Sequence, residues 1–197
     1  MVATVGVYQA TGGSDGSPAN EDEITTSTRL QTKDQFAPAD TSYPIPIPTA
    51  GFNYSYWVHF YLKITSPPSV KINNIRFYSD GNIGWNCGTN GGLFMGTRDS
   101  GDNGCPMDTE YDVATGVEGE SGHAIDDPTN GHDYYKSQTT PVTNVASFTS
   151  GSPALIDSTD HTTTGKCKAV VLQVKVAPDA VQGEQSDETL TFLYDEI

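Results

Sequence analysis

The chain has 197 residues, 35% of them hydrophobic and only 18% charged, and its 25 Asp and Glu against ten Lys and Arg leave a formal net charge of −15. That length suits one sizeable core, or one core carrying a large insertion. The negative charge opposes binding to phosphate backbones and to anionic membrane surfaces, so neither nucleic acid nor membrane is an expected partner. Gly, Pro, Ser, Thr, Asn and Asp are abundant and strong helix formers are few, which points to an all-β protein. The acidity itself serves solubility, at high salt or among crowded copies on a surface.

The N-terminal MVATVGVYQATGG has no basic segment followed by a long apolar run, so it does not read as a secretory signal. No stretch approaches the ~18 apolar residues of a membrane helix. The expectation is a protein made in the cytoplasm without a leader; a leader removed upstream is the alternative. A first strand fits residues 2–8, and weaker extended segments fit TRLQT (28–32) and YPIPIP (43–48). The prolines of the latter remove alternate backbone donors, which confines it to a sheet edge or a polyproline-like run.

The clearest strand is SYWVHFYLKI (55–64), with Val58, Phe60, Leu62 and Ile64 on one face and Trp57, His59, Tyr61 and Lys63 on the other. A turn at SPPS (66–69) leads into VKINNIRFYS (70–79), where the apolar phase slips near Asn73 and Asn74, as a β-bulge would make it. LFMGT (93–97) is a weaker strand. Between Arg98 and Lys136 the chain carries ten acids and no Lys or Arg. Residues 80–166 are therefore read as long acidic loops with two or three short strands at one end of a sandwich. KAVVLQVKVA (168–177) is the second unambiguous strand, and TLTFLYDEI (189–197) closes the chain as a strand after a polar connection.

The pairing of WVHFYLKITSPPSVKINNIRFYSDG with a later VVLQVKVAPDAVQGEQSDETLTFLYDEI resembles the two halves of an immunoglobulin-like sandwich, with endings similar to those of prokaryotic surface modules and of structural proteins of tailed viruses. The likeness covers residues 55–80 and 168–197. It departs from antibody-type domains, since there is no Cys…Trp…Cys framework and Cys167 precedes its strand. The resemblance implies a single β-sandwich, immunoglobulin-like or jelly-roll-like, acting as a non-enzymatic virion structural protein in capsid decoration, a fibre or a tail. Its partners would be itself, as a homo-oligomer, and a major capsid or tail protein. The alternative is a cell-surface or extracellular filament module that binds proteins or glycans.

Candidate sites are few. Asp99, Asp102, Asn103 and Asp108 offer hard oxygen donors on a glycine-broken loop, the chemistry Ca²⁺ prefers, although the register is not that of an EF-hand. The competing reading is a solvated turn whose Asx side chains bond nearby amides. Trp57, Tyr61 and Tyr56 are candidates for a partner-facing aromatic patch, against a second layer packed over that face. Cys87, Cys105 and Cys167 show no zinc spacing; they are read as reduced or buried, with a Cys87–Cys105 bridge as the alternative. His59 lies on a strand, while His123, His132 and His161 are scattered in loops without an HxH or HExxH spacing. Asp126 and Asp127 form the other acidic pair, and neither they nor any serine context supplies a catalytic signature.

Overall fold

Alternation over Val58–Ser66 builds the strand around which the rest is arranged. The computed structural model describes residues 2–197. In chain order the strands are β1 (Thr4–Thr11), β2 (Asn20–Glu23), β3 (Asn53–Tyr54), β4 (Val58–Ser66), β5 (Ile72–Tyr78), β6 (Gly92–Gly96), β7 (Gly116–Val117), β8 (Ser121–Gly122), β9 (Val142–Asn144), β10 (Ala154–Asp157), β11 (Gly165–Lys166), β12 (Val170–Val176) and β13 (Thr191–Glu196). Among the described residues the only helical element is a 3₁₀ turn at Val145–Ser147, capped by the Asn144 side chain accepting from the Ala146 amide.

Two antiparallel sheets make a β-sandwich. The larger runs β2-β1-β4-β12-β6-β9, with β11 added to β4 and β3 to β12; the smaller runs β10-β5-β13. Their facing sides interdigitate. Val58, Phe60, Leu62 and Ile64 of β4, Val170, Leu172, Val174 and Val176 of β12, and Leu93 and Met95 of β6 pack against Ile72, Ile75 and Phe77 of β5 and Ile156 of β10. Burial of each such side chain contributes about 1.5–3 kcal/mol, so the two central strands, with four inward residues each, make the largest contributions to this core.

The slip expected in the second strand is present. Asn74 adopts a left-handed conformation, φ 52°. Against β13 the register jumps there, Leu193 facing Arg76 but Asp195 facing Asn73. The extra residue rotates the strand, so that Ile72 points inward before the bulge and Ile75 and Phe77 after it.

The larger sheet is buried on its second face as well. Trp57 and Tyr61 of the β4 region, Ala169 and Val171 at β12 and Ala10 of β1 meet Cys105, Met107, Tyr111, Ala114, Ile125 and Tyr135. The covering residues belong to 98–141, an irregular layer whose only regular pairing is the two-residue hairpin β7–β8. The segment 80–166 is thus not a solvated loop insertion: it supplies β6 to β11 and this third layer. TRLQT and YPIPIP form no strands; they are joined to each other by the Thr32 amide on the Tyr43 carbonyl.

An irregular layer must satisfy its backbone polar groups individually, and here side chains do much of that. Gln173, buried on β12, accepts from the Ile125 amide at 2.9 Å and donates to the Ser55 and His123 carbonyls at 2.8 and 2.7 Å. The Trp57 indole donates to the Asp112 carbonyl, and the Tyr135 hydroxyl to that of Asn103. Residues 103–105 link the two sheets, their amides donating to the Leu155 and Ile156 carbonyls of β10 and to the Ala169 carbonyl just before β12. At Gly96 the sheet passes so close to the layer that an added Cβ would lie 2.6–2.8 Å from the Tyr135 ring.

Candidate functional site

The expected aromatic contact patch is inside the protein. Trp57 is 1%, Tyr61 0% and Tyr56 8% exposed, all three under the irregular layer. The alternation placed Trp57 and Tyr61 on the face opposite Val58 and Phe60, whereas Tyr56 precedes the strand and falls in the other phase; the second layer weighed against a contact patch does cover that face, as loops with no period of their own and not as a sheet.

The four candidate calcium ligands are committed to different tasks. The Asp99 carboxylate accepts from the Thr139 and Thr140 amides, closing the layer's outer turn. Asp102 accepts from the Ser158 amide and hydroxyl and from Lys168 at 2.6 Å. Burial opposes its ionisation, but the Lys168 and Ser158 bonds outweigh it and lower its pKa. Asn103 accepts from the Arg98 amide and donates to the Leu155 carbonyl. Asp108 is largely exposed, 3.6 Å from the Lys166 ammonium. Among the described residues these acids do not make a cluster of convergent ligand atoms. Asp127 likewise serves its own turn, accepting from the Thr129 and Asn130 amides.

Two clusters do converge; the members of the first are far apart in the sequence, while in the second Asp157 and His161 are four residues apart. In the first, His59 on β4 and His132 and Cys105 in the irregular layer bring ligand atoms within 4.8 Å of one another, all three side chains being buried. The Nε2 atoms of His59 and His132 are 3.0 Å apart. Aromatic rings enclose them: Tyr111 lies over His59 at a centroid distance of 4.5 Å, and Tyr135 and Trp57 flank His132 at 5.0 and 5.6 Å. Burial holds both imidazoles neutral, His132 with its pKa lowered to about 3 and His59 well below its usual value. Burial, followed by the charges of Glu110 and Asp112, pushes the Cys105 thiol far up; that thiol donates to the Glu110 carbonyl at 3.1 Å.

The second cluster, Asp157, His161 and Cys167, lines a cleft of about 210 Å³ together with Pro106, Asp108 and Lys166. His161 Nε2 lies 2.9 Å from Asp157 Oδ2, which also accepts from the Lys168 amide, while Oδ1 accepts from the Thr159 amide. Burial would raise this carboxyl, yet those bonds hold it well below the usual carboxylate range. The Cys167 thiol is pushed up to about 12 by burial and then by the Asp157 charge. A thiolate nucleophile requires the opposite environment, so the geometry resembles a Cys-His-Asp constellation while the electrostatics keep the sulfur protonated. Its evident work is to tie the 157–168 turn: the His161 carbonyl and amide bridge to Ile72 of β5.

All three cysteines are free and buried, with no Cys87–Cys105 bridge. Only His59 gave any sign in the sequence of where it would lie, as an imidazole alternating with Trp57 and Tyr61 on one strand face. Compared with family models, curated proteins and solved structures, the chain gives no match.

Proposed function

We propose that this protein is a non-enzymatic structural subunit that self-associates through the free edge of its smaller sheet. The observation that carries the reading is β13. It is an edge strand with one side paired to β5, and it ends beside exposed apolar side chains: Leu193 is 41%, Val70 57% and Ile197 61% exposed. Val70 and Ile197 are held together by the Val70 amide on the Ile197 carbonyl. An unpaired edge with apolar side chains is a template for strand addition. Antiparallel pairing of two copies about Leu193 and Tyr194 sets Asp195 and Glu196 of each against Thr191 and Phe192 of the other, so the acids do not oppose one another. Such a contact is isologous and closes as a dimer or as a unit of a larger symmetric assembly.

The assembly that suits this subunit is a virus particle of the tailed type, docked on a major capsid or tail protein, the class its strand pattern resembles; the negative surface would remain in water. Sedimentation of the purified protein tests the association: a dimer or larger species is expected, reduced to monomer by Leu193→Lys with Ile197→Lys. A protein that stays monomeric up to about 100 μM overturns self-association. Gradient fractionation of the source culture tests the setting, since co-sedimentation with particles is expected and recovery only with cell envelopes would transfer the reading to a surface module.

A further inference from the structure

We infer that His59 Nε2, His132 Nε2 and Cys105 Sγ are the ligands of one transition-metal ion, of the zinc or copper class, which clamps the irregular layer to the central sheet. Two imidazole nitrogens and one sulfur form a donor set that suits these ions and excludes calcium and magnesium, which take oxygen. Ligand nitrogens about 2.05 Å from a tetrahedral ion lie about 3.3 Å apart. The two Nε2 atoms are already at 3.0 Å with Sγ inside the same 4.8 Å group, so small side-chain rotations suffice.

Each ligand stands on fixed backbone. His59, the second residue of β4, is paired with Ala10 of β1 on one side and Val171 of β12 on the other. Cys105 is bridged on both sides of its backbone to Ala169, its amide to that carbonyl and its carbonyl to that amide, each at 2.8 Å. His132 sits in a tight turn, its amide on the Ile125 carbonyl and its own carbonyl accepting from Tyr135 and Lys136. A carboxylate stands nearby: Asp112 Oδ2, held by the Asp133 amide at 2.7 Å, lies 3.9 Å from His132 Nδ1, beyond hydrogen-bond distance but within reach of a small ring rotation that would make it the orienting partner of a metal-bound histidine.

The proton count is definite. The Tyr134 amide donates to His132 Nδ1, so in the metal-free state the His132 Nε2 carries the proton and donates to His59. An entering ion displaces that proton and the thiol proton; the imidazole takes one back at Nδ1, which gives up its bond from the Tyr134 amide as the ring turns toward Asp112. One proton is released per ion, and a divalent ion, one thiolate and the Asp112 carboxylate sum to zero charge. The Asp157 cluster is the weaker ligand set: both oxygens of its carboxylate are engaged by amides, and the Lys168 ammonium stands 3.7 Å from Oδ1.

The test uses the full chain, unfolded and refolded with Zn²⁺, Co²⁺ or Cu²⁺ or with chelator so that burial of the site does not bar entry, then freed of loose metal. One ion per chain is expected, with a thiolate-to-metal charge-transfer band in the Co²⁺ or Cu²⁺ form and, once metal is added back to about 1,000-fold over Kd, a melting temperature about 8–16 °C above the chelated protein. Cys105→Ala should abolish the band and Cys167→Ala should retain it. Should Cys105→Ala fail to fold, the band, stoichiometry and melting shift of the unmodified chain decide alone. Substoichiometric metal, no band and equal melting with and without chelator overturn the inference, as does loss of metal in Cys167→Ala with retention in Cys105→Ala.

Discussion

Replacing Gln173 by leucine separates the irregular layer from the sheet at a single atom group. The side chain is 3% exposed and makes three hydrogen bonds, one from Ile125 and two to the carbonyls of Ser55 and His123. Leucine fills the volume but leaves one amide and two carbonyls without these partners, and each buried group stranded in this way costs about 1–3 kcal/mol. Water reaching the His123 side reduces the sum, so about 4 kcal/mol is expected, which for a chain of this size is a fall of about 8–16 °C in melting temperature. Calorimetry reads the total, and hydrogen exchange locates it: the Ile125 amide should lose protection while amides of β5 and β13 keep theirs relative to the new global stability. A Gln173→Leu protein melting within about 2 °C of the parent would refute the claim that this side chain bolts the layer down.

Further outcomes follow from single residues. Gly96→Ala drives a methyl into the Tyr135 ring, which is buried and held by its bond to Asn103; a loss of about 1–3 kcal/mol is expected by denaturant titration. Trp57→Ala should lose about 3–5 kcal/mol while leaving sedimentation of the folded fraction unchanged, since the indole is interior. Burial raises the Asp34 carboxyl to about 6, against the bond it accepts from Gly12. A raised folded pKa contributes stability that is complete below the unfolded value near 3.9 and is lost as pH rises through about 6. Asp34→Asn should therefore stabilise by about 1–2 kcal/mol at pH 7.5 and by little at pH 4, as melting curves at the two pH values would show. Thiol titration with an aromatic disulfide should find no reactive cysteine in the native protein and three after denaturation, in keeping with their burial.

The strand faces were legible because period two survives in β4 and β12 even where both faces are buried. The bulge was legible too, because a slip of apolar phase has no other economical cause in a strand. What covers the outer face of β4 was not. Met107, Tyr111, Ile125 and Tyr135 fall at irregular intervals among acids and glycines, and some of the amides around them are bonded to side chains far away in sequence, as Ile125 is to Gln173 and Val113 to Asp15. Read locally, Asp99 and Asp102 look like ion ligands; their amide partners at Thr139 and Ser158 lie some 40 and 56 residues onward. The His59, Cys105 and His132 convergence was hidden for the same reason, since its members come from a strand and two separate turns.

Attachment by individual side chains gives the irregular layer a property that strand pairing does not confer. A ladder of backbone bonds resists sliding as a unit, whereas separate anchors fix points and leave the chain between them free to change length. Ser100 and Gly101 form such an interval, exposed and with open space around the Gly101 α-carbon, between Asp99 and Asp102, which are both anchored. A foreign peptide spliced between Ser100 and Gly101 would project into solvent without moving either anchor, which makes this turn a natural place to display cargo on the protein.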